Sequence, residues 1–273
     1  MTCQTHNQHR MFTMSRHKKI ERSYFNKEFL ESPDGRSIRI LSEYFHPQQV
    51  FRKKQVHDTI VFFGSARAKS PRELRKMNLE NHETTVIHKL SKYYLEACRL
   101  SYKLTKWSKQ LPHGSRKFLV CSGGGPGIME AANRGAFLAR GKSIGLNISL
   151  PMEQTPNKYI SHSLNFDFNY FFMRKYWFAY LAKALIIFPG GFGTIDELFE
   201  LLTLKQTHKL EKPLPIVIYG TEYWKKLINF DTFIEWETIN KSDMEYVYFA
   251  DNVDDAFAYL TTHLSRLYLE DDK

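Results

Sequence analysis

Ser122-Gly-Gly-Gly-Pro-Gly-Ile-Met-Glu130 and Pro189-Gly-Gly-Phe-Gly-Thr-Ile-Asp-Glu197 decide how this 273-residue chain folds. Each follows a short apolar run, Phe118-Leu-Val-Cys121 or Ala184-Leu-Ile-Ile-Phe188, and each leads into a segment with helical spacing. A glycine turn between a strand and a helix leaves backbone N–H groups free at the helix N-terminus, where they hold an anion such as phosphate. Glycine also lets a ligand approach with no Cβ in the way. Two such turns, the second ending in an acid, point to a nucleotide site with chemistry attached.

The pattern extends outward from these turns. Thr59-Ile-Val-Phe-Phe63 reads as the first strand, ending in Gly64-Ser65-Ala66-Arg67, where a first phosphate-facing loop is expected. A long amphipathic helix is predicted over 82–110, with Val86, Leu90, Tyr94 and Ala97 at helical spacing. Further helices are read at 128–140, 171–182, Ile195 to about Lys205, and 254–268. Ser143–Ile148, Leu164–Phe168 and Leu214–Tyr219 read as strands, Leu214–Tyr219 as the last of the core. Apolar strands alternating with helices predict a Rossmann-like, doubly wound parallel sheet with helices on both faces. Ligands of such sheets bind at the carboxyl ends of the strands, where both glycine turns lie.

Residues 1–57 read as a basic N-terminal extension, polar and rich in His, Gln, Arg and Lys, with turn signals at Ser32-Pro-Asp-Gly35. The first 20 or so are expected to be disordered, and 36–51 to dock as a short strand or helix. Residues 58–273 read as one nucleotide-binding domain. The net charge of +10 favours anionic partners without choosing between nucleotides and nucleic acid. Cys3, Cys98 and Cys121 form no metal-ligand pair and no even disulfide framework, so a reducing cytoplasm is expected, with no metal. Cys121 reads as a buried inert thiol. No apolar stretch approaches 18 residues, which excludes a helical membrane span.

Neither turn is a Walker A loop, since both lack its lysine, and neither completes Gly-x-Gly-x-x-Gly: its last position falls on Ile128 or Asp196. The turns look built for a mononucleotide. Thr194 and Glu197 have the spacing of a helix capping box, which is one reading of Glu197; the other is a carboxylate facing the phosphate loop. Arg174 in Phe172-Met-Arg-Lys175 reads either as a bidentate partner for phosphate or ribose, or as a surface arginine lying along an aromatic helix. Asp196 and Glu200 read as carboxylates favourable to the helix dipole, and Lys175 and Lys183 as solvated or paired lysines.

Together, Pro189–Glu197, the upstream Arg174-Lys175 pair and the earlier Gly-Gly-Gly-Pro-Gly-Ile-Met-Glu turn resemble the Lonely Guy (LOG) family. These are cytokinin-activating phosphoribohydrolases, with bacterial nucleotide-nucleosidase relatives, long labelled possible lysine decarboxylases. The resemblance covers about residues 58–220. It implies hydrolysis of the N-glycosidic bond of a nucleoside 5′-monophosphate, giving free base and ribose 5-phosphate without a cofactor. Carried over residue by residue, it makes Arg174 and Glu197 the catalytic pair. Gly190, Gly191, Gly193 and Thr194 would hold the phosphate, and Gly124 and Gly125 would line the nucleotide, beside the loop of Gly64 and Ser65. The family also implies a homodimer or larger homo-oligomer. One departure is the aromatic run Tyr170-Phe-Phe-Met173, where the family often has a polar residue. That run bears on the base pocket and leaves the preferred base open.

Three other readings compete. A non-catalytic nucleotide or molybdenum-cofactor carrier on the same fold needs the turns but not Arg174 with Glu197. A nucleic-acid binder on a Rossmann-like core fits the basic N-terminus and would show a steep fall of DNA affinity with salt, but nucleic acid is not the expected partner. A decarboxylase needs pyridoxal phosphate on a lysine, and no lysine here has that context.

Overall fold

The computed structural model describes residues 20–77, 86–112, 116–151 and 155–269. The chain groups into two units, Met1–Leu41 and Ser42–Lys273. Cys3 and the expected disordered first residues lie outside the described ones, as do positions 82–85 of the long helix.

In the first unit, α1 (Lys27–Glu31) is capped by Asn26, whose side chain accepts from the Phe29 N–H. The expected turn over Ser32–Gly35 follows and leads into α2 (Arg36–Lys54). Arg39 donates to the carbonyl oxygens of Leu30 and Ser32, satisfying acceptors at the end of α1.

The second unit holds the remainder of α2 and a seven-stranded sheet. In chain order its elements are β1 (Thr59–Phe63), α3 (Pro71–Lys76), α4 (Val86–Gln110), β2 (Leu119–Ser122), α5 (Ile128–Leu138), β3 (Ser143–Ile148), β4 (Asn165–Phe168), α6 (Phe171–Leu181) and β5 (Ala182–Ile187). After these come α7 (Phe192–Gln206), β6 (Ile216–Tyr219), α8 (Thr221–Leu227), α9 (Phe230–Glu235), β7 (Val247–Ala250) and α10 (Val253–Tyr268). The strand order is β4-β3-β2-β1-β5-β6-β7, and all neighbouring pairs are parallel. From β1 the chain winds outward to β4, then returns beside β1 with β5 and winds the other way. The β1/β5 seam is therefore the switch point, and the crevice beyond its carboxyl end is the place for a ligand.

Strand alternation assigns the two faces. Ile60 and Phe62 of β1, with Ala184 and Ile186 of β5, pack against Tyr94, Leu100 and Leu104 of α4, Ala131 and Ala132 of α5, and Leu260 and Leu264 of α10. Phe63, the next residue along β1, faces the other way and meets Phe178 of α6 edge-on, with centroids 4.9 Å apart. Helices thus cover both faces, as the sequence predicts. No helix among the described residues is long and apolar enough to cross a membrane.

Three differences from the sequence reading stand out. Leu214–Tyr219 is not the last strand, because Val247-Tyr-Phe-Ala250 adds a seventh beside it. Val247-Tyr-Phe-Ala250 is apolar in sequence, yet its first three residues are only half buried, as befits a strand at the edge of the sheet. Second, α7 starts at Phe192 rather than Ile195, with Gly191 as its N-cap and the Ile195 N–H donating to the Gly191 carbonyl at 3.0 Å. Thr194 is therefore inside the first turn, and no capping box forms with Glu197. Third, a capping box does form at Ser70 and Glu73, which opens α3.

Candidate functional site

The crevice is built from three loops at the carboxyl ends of β1, β2 and β5. Its floor is tied across the seam: the Ser65 N–H donates to the Pro189 carbonyl at 2.9 Å, and the Ile128 N–H donates to the Ser65 carbonyl at 3.0 Å. The loop of Gly64 and Ser65 is thus held between the two glycine turns. Gly64 packs against Ile128, where a Cβ would fall 2.8 Å from the side chain.

The first turn is fixed by a buried polar network. Ser122 Oγ donates to Asn133 Oδ1 at 2.7 Å and accepts from the Gly124 N–H at 3.1 Å. Asn157 donates through Nδ2 to the carbonyls of Gly124 and Gly125 and to Asn133 Oδ1, at 3.0, 3.1 and 2.9 Å. Asn133 completes it by donating to the Ile144 carbonyl. Gly124 sits at φ +75°, and a Cβ there would run into the Asn147 side chain. Only glycine fits.

Arg174 and Glu197 meet in this crevice. Nη1 of Arg174 lies 3.5 Å from Oε1 of Glu197, with 10% and 13% of the two side chains exposed. Arg174 Nε donates to the Leu146 carbonyl at 2.7 Å, and the guanidinium lies over the Phe178 ring at 5.0 Å. Its second nitrogen fills the space where a Cβ on Gly123 would stand, so that glycine admits the guanidinium to the site. The surface-arginine reading of Arg174 does not describe this side chain. Burial pushes the Glu197 carboxyl up to about 7, against the lowering effect of Arg174. Burial also lowers the Arg174 guanidinium from its ordinary value, against Glu197.

Lys175 turns the other way and bridges Asp196 at 2.7 Å and Glu200 at 3.2 Å, leaving neither acid as a simple dipole partner. Lys183 pairs with Asp58 at 3.7 Å. Burial pushes the Cys121 thiol up, as fits an inert core cysteine.

In the second turn Thr194 is buried, with its side chain where a Cβ on Gly190 would stand. The Gly190 carbonyl accepts from Tyr223 Oη at 2.7 Å. Gly191 and Gly193 are exposed, and a Cβ on either would meet nothing within 4 Å. Protein packing therefore does not require glycine at these two positions. Phe192, between them, is 93% exposed.

Gly64 and Ser65, Gly124 and Gly125, and Gly190, Gly191, Gly193 and Thr194 thus follow the carboxyl ends of β1, β2 and β5, and Arg174 meets Glu197 beside Gly123. Gly123, Asn133, Asn147 and Asn157 were not among the expected site residues. Asn133 carried a readable signal, a polar residue on the otherwise apolar face of α5. Among the described residues no group of three or more His, Cys, Asp or Glu side chains could hold a metal ion.

A family profile described as "Possible lysine decarboxylase" matches residues 129–260, a span that includes Arg174, the second glycine turn and Glu197. Pyrimidine/purine nucleotide 5′-monophosphate nucleosidases of Escherichia coli K12 and O157:H7 are each 30% identical across 43% of this chain. The LOG-family resemblance is borne out.

The LOG-like chain spans about 28% of the length of those curated relatives. It is also similar to the solved molybdenum cofactor carrier protein of Chlamydomonas reinhardtii, at 18% identity and a TM-score of 0.46, covering 76% of this chain and 99% of that one. The molybdenum cofactor binding protein of Rippkaea orientalis gives 14% identity and a TM-score of 0.47, over 76% and 98%.

Proposed function

We propose that this chain hydrolyses the N-glycosidic bond of a nucleoside 5′-monophosphate, releasing free base and ribose 5-phosphate. The observation that carries the reading is the Arg174–Glu197 pair, buried between two glycine turns at the switch point. The turn from Gly190 to Thr194 anchors the phosphate with backbone N–H groups at the start of α7. Gly124 and Gly125 line the nucleotide beside Gly64 and Ser65.

Breaking the bond from C1′ to the base nitrogen develops oxocarbenium charge on the ribose, as in glycoside hydrolysis. The Glu197 carboxylate stabilises that charge and takes a proton from the attacking water, and returning that proton to the departed base nitrogen restores the carboxylate and completes the balance. With a pKa of about 7, Glu197 is both basic enough to accept that proton and substantially ionised at neutral pH. Arg174 holds the carboxylate in place and keeps its pKa from rising further. The phosphate, remote from the reacting carbon, supplies orientation. The same reading makes the enzyme a cytoplasmic homo-oligomer, whose mass light scattering measures directly.

Base release from AMP, GMP, IMP, CMP, UMP and isopentenyl-AMP, with wild type and Glu197→Ala, tests the proposal. Release that the substitution abolishes in a folded protein is the expected result and names the preferred base. Nucleotide binding without release from any of the six would overturn it and favour the carrier.

A further inference from the structure

The geometry points to Glu43, in the part of α2 that belongs to the sheet unit, as the residue that caps α6 from outside and holds Arg174 in register with Glu197. The inference rests on the proposed hydrolase reading for its catalytic consequence, and on geometry alone for its structural one.

Helix α6 has no cap of its own, because its N-cap residue is Tyr170, whose side chain makes no capping hydrogen bond. Glu43 supplies one. Its Oε1 accepts from the Asn169 N–H at 2.8 Å, and its Oε2 accepts from the Tyr170 N–H at 3.2 Å. A carboxylate across two successive N–H groups at the positive end of a helix makes charge-assisted bonds and complements the dipole. The Glu43 backbone carbonyl accepts from Trp177 Nε1 at 3.0 Å, one turn beyond Arg174. One residue thus grips α6 on both sides of the arginine.

The neighbours of Glu43 fix the grip. Tyr44 packs against the rings of Tyr176 and Trp177, and Phe51 packs edge-on to Trp177 and Phe166. Arg174 reaches Glu197 at 3.5 Å, so a small rotation or slide of α6 separates the pair. Misplacement by about 1 Å is enough to lower a catalytic rate on the order of 100-fold. The charged groups acting on Glu197 are Arg174 and Lys175 from α6 and Asp196 and Glu200 from its own helix, with the Cys121 thiol of β2 also coupled to it. Among these Arg174 is the largest cationic influence, so the ionisation of Glu197 reports where Arg174 sits.

The test compares full-length wild type, Glu43→Gln and Glu43→Ala in two independent ways. The first needs no activity: protection of the Asn169 and Tyr170 amides and of the Arg174 Nε–H, observed by NMR. Glu43→Ala should lose protection at all three. Glu43→Gln, which keeps one acceptor oxygen, should be intermediate. The second uses whichever nucleotide the wild type hydrolyses. Glu43→Ala should lower kcat about 10-fold or more with KM within about twofold, and move the ascending limb of the pH profile upward. Glu43→Gln should recover part of both.

An Arg174 Nε–H equally protected in all three proteins overturns the inference. So does a Glu43→Ala enzyme that melts earlier yet keeps the wild-type kcat and pH limb. If the alanine variant does not fold, Glu43→Gln against wild type decides by the same readouts. A wild type that hydrolyses no nucleotide defeats the hydrolase reading, while the NMR comparison still decides whether Glu43 holds Arg174.

Discussion

Nη1 of Arg174 lies 3.5 Å from Oε1 of Glu197, and the two residues belong to helices on either side of a buried strand. Both side chains are largely buried, so burial pushes each toward its neutral form while the partner opposes that shift.

The pair predicts the pH profile. Activity that needs the Glu197 carboxylate should rise with pH through about 7 in kcat/KM. Arg174→Ala removes a lowering influence and should shift this limb to higher pH. Glu200→Gln removes a raising one and should shift it lower. A limb near pH 4.5 in wild type, measured from pH 4 to 9, would contradict the assignment.

The same shift predicts a stability signature. Because the folded pKa of Glu197 is raised, the protonated acid is the form the fold favours. Its contribution is full below the unfolded pKa of 4.5 and is lost as pH rises to about 7. Glu197→Gln mimics the protonated acid. Its stability relative to wild type should therefore be about 3 kcal/mol better at pH 8 than at pH 4. Urea melts of both proteins at the two pH values measure the difference.

Gly191 and Gly193 offer a test of the phosphate cradle. A methyl group at either meets no protein atom within 4 Å, so Gly191→Ala and Gly193→Ala should change stability by no more than about 0.5 kcal/mol. If the nucleotide phosphate approaches this backbone, KM should nonetheless rise about 10-fold or more. Unchanged KM in stable variants would place the phosphate elsewhere.

Gly124→Ala is expected to behave in the opposite way. With φ at +75° and Asn147 in the way, the change should destabilise the fold by more than about 1 kcal/mol. Asn133→Ala, which strands Ser122 and Asn157 in a buried network, should cost about 2–3 kcal/mol. Thermal melts report both, and an Asn133→Ala protein as stable as wild type would show that the network does not hold the turn.

Much of this was legible in the chain. The runs at 59–63, 118–121 and 184–188 are almost wholly apolar, as strands covered on both faces tend to be, while 143–148 sets Ile144, Leu146 and Ile148 between small or polar residues; each lies within a residue or two of the observed strand. The exact start of α7 was not legible, because glycines compatible with a loop here form the first turn of the helix. Strand β7 escaped notice because a four-residue apolar run is too short for its periodicity to separate a strand from a helix or loop. The sequence named Arg174 and Glu197 but gave no distance between them. The contribution of Glu43 was hidden for a further reason: its partners are backbone N–H groups, which every residue but proline carries.

The seam between β1 and β5 also governs when the site comes into being. Thr59 pairs with Ala182, roughly 120 residues later, and the Ser65–Pro189 hydrogen bond joins the loops that follow the two strands. Contacts this distant in sequence form slowly, since a long loop must close before they are rewarded. During synthesis β2 to β4 emerge before β5 and the second glycine turn. On the proposed function, the phosphate turn is therefore in place only once β5 pairs beside β1 and brings Pro189–Glu197 with it.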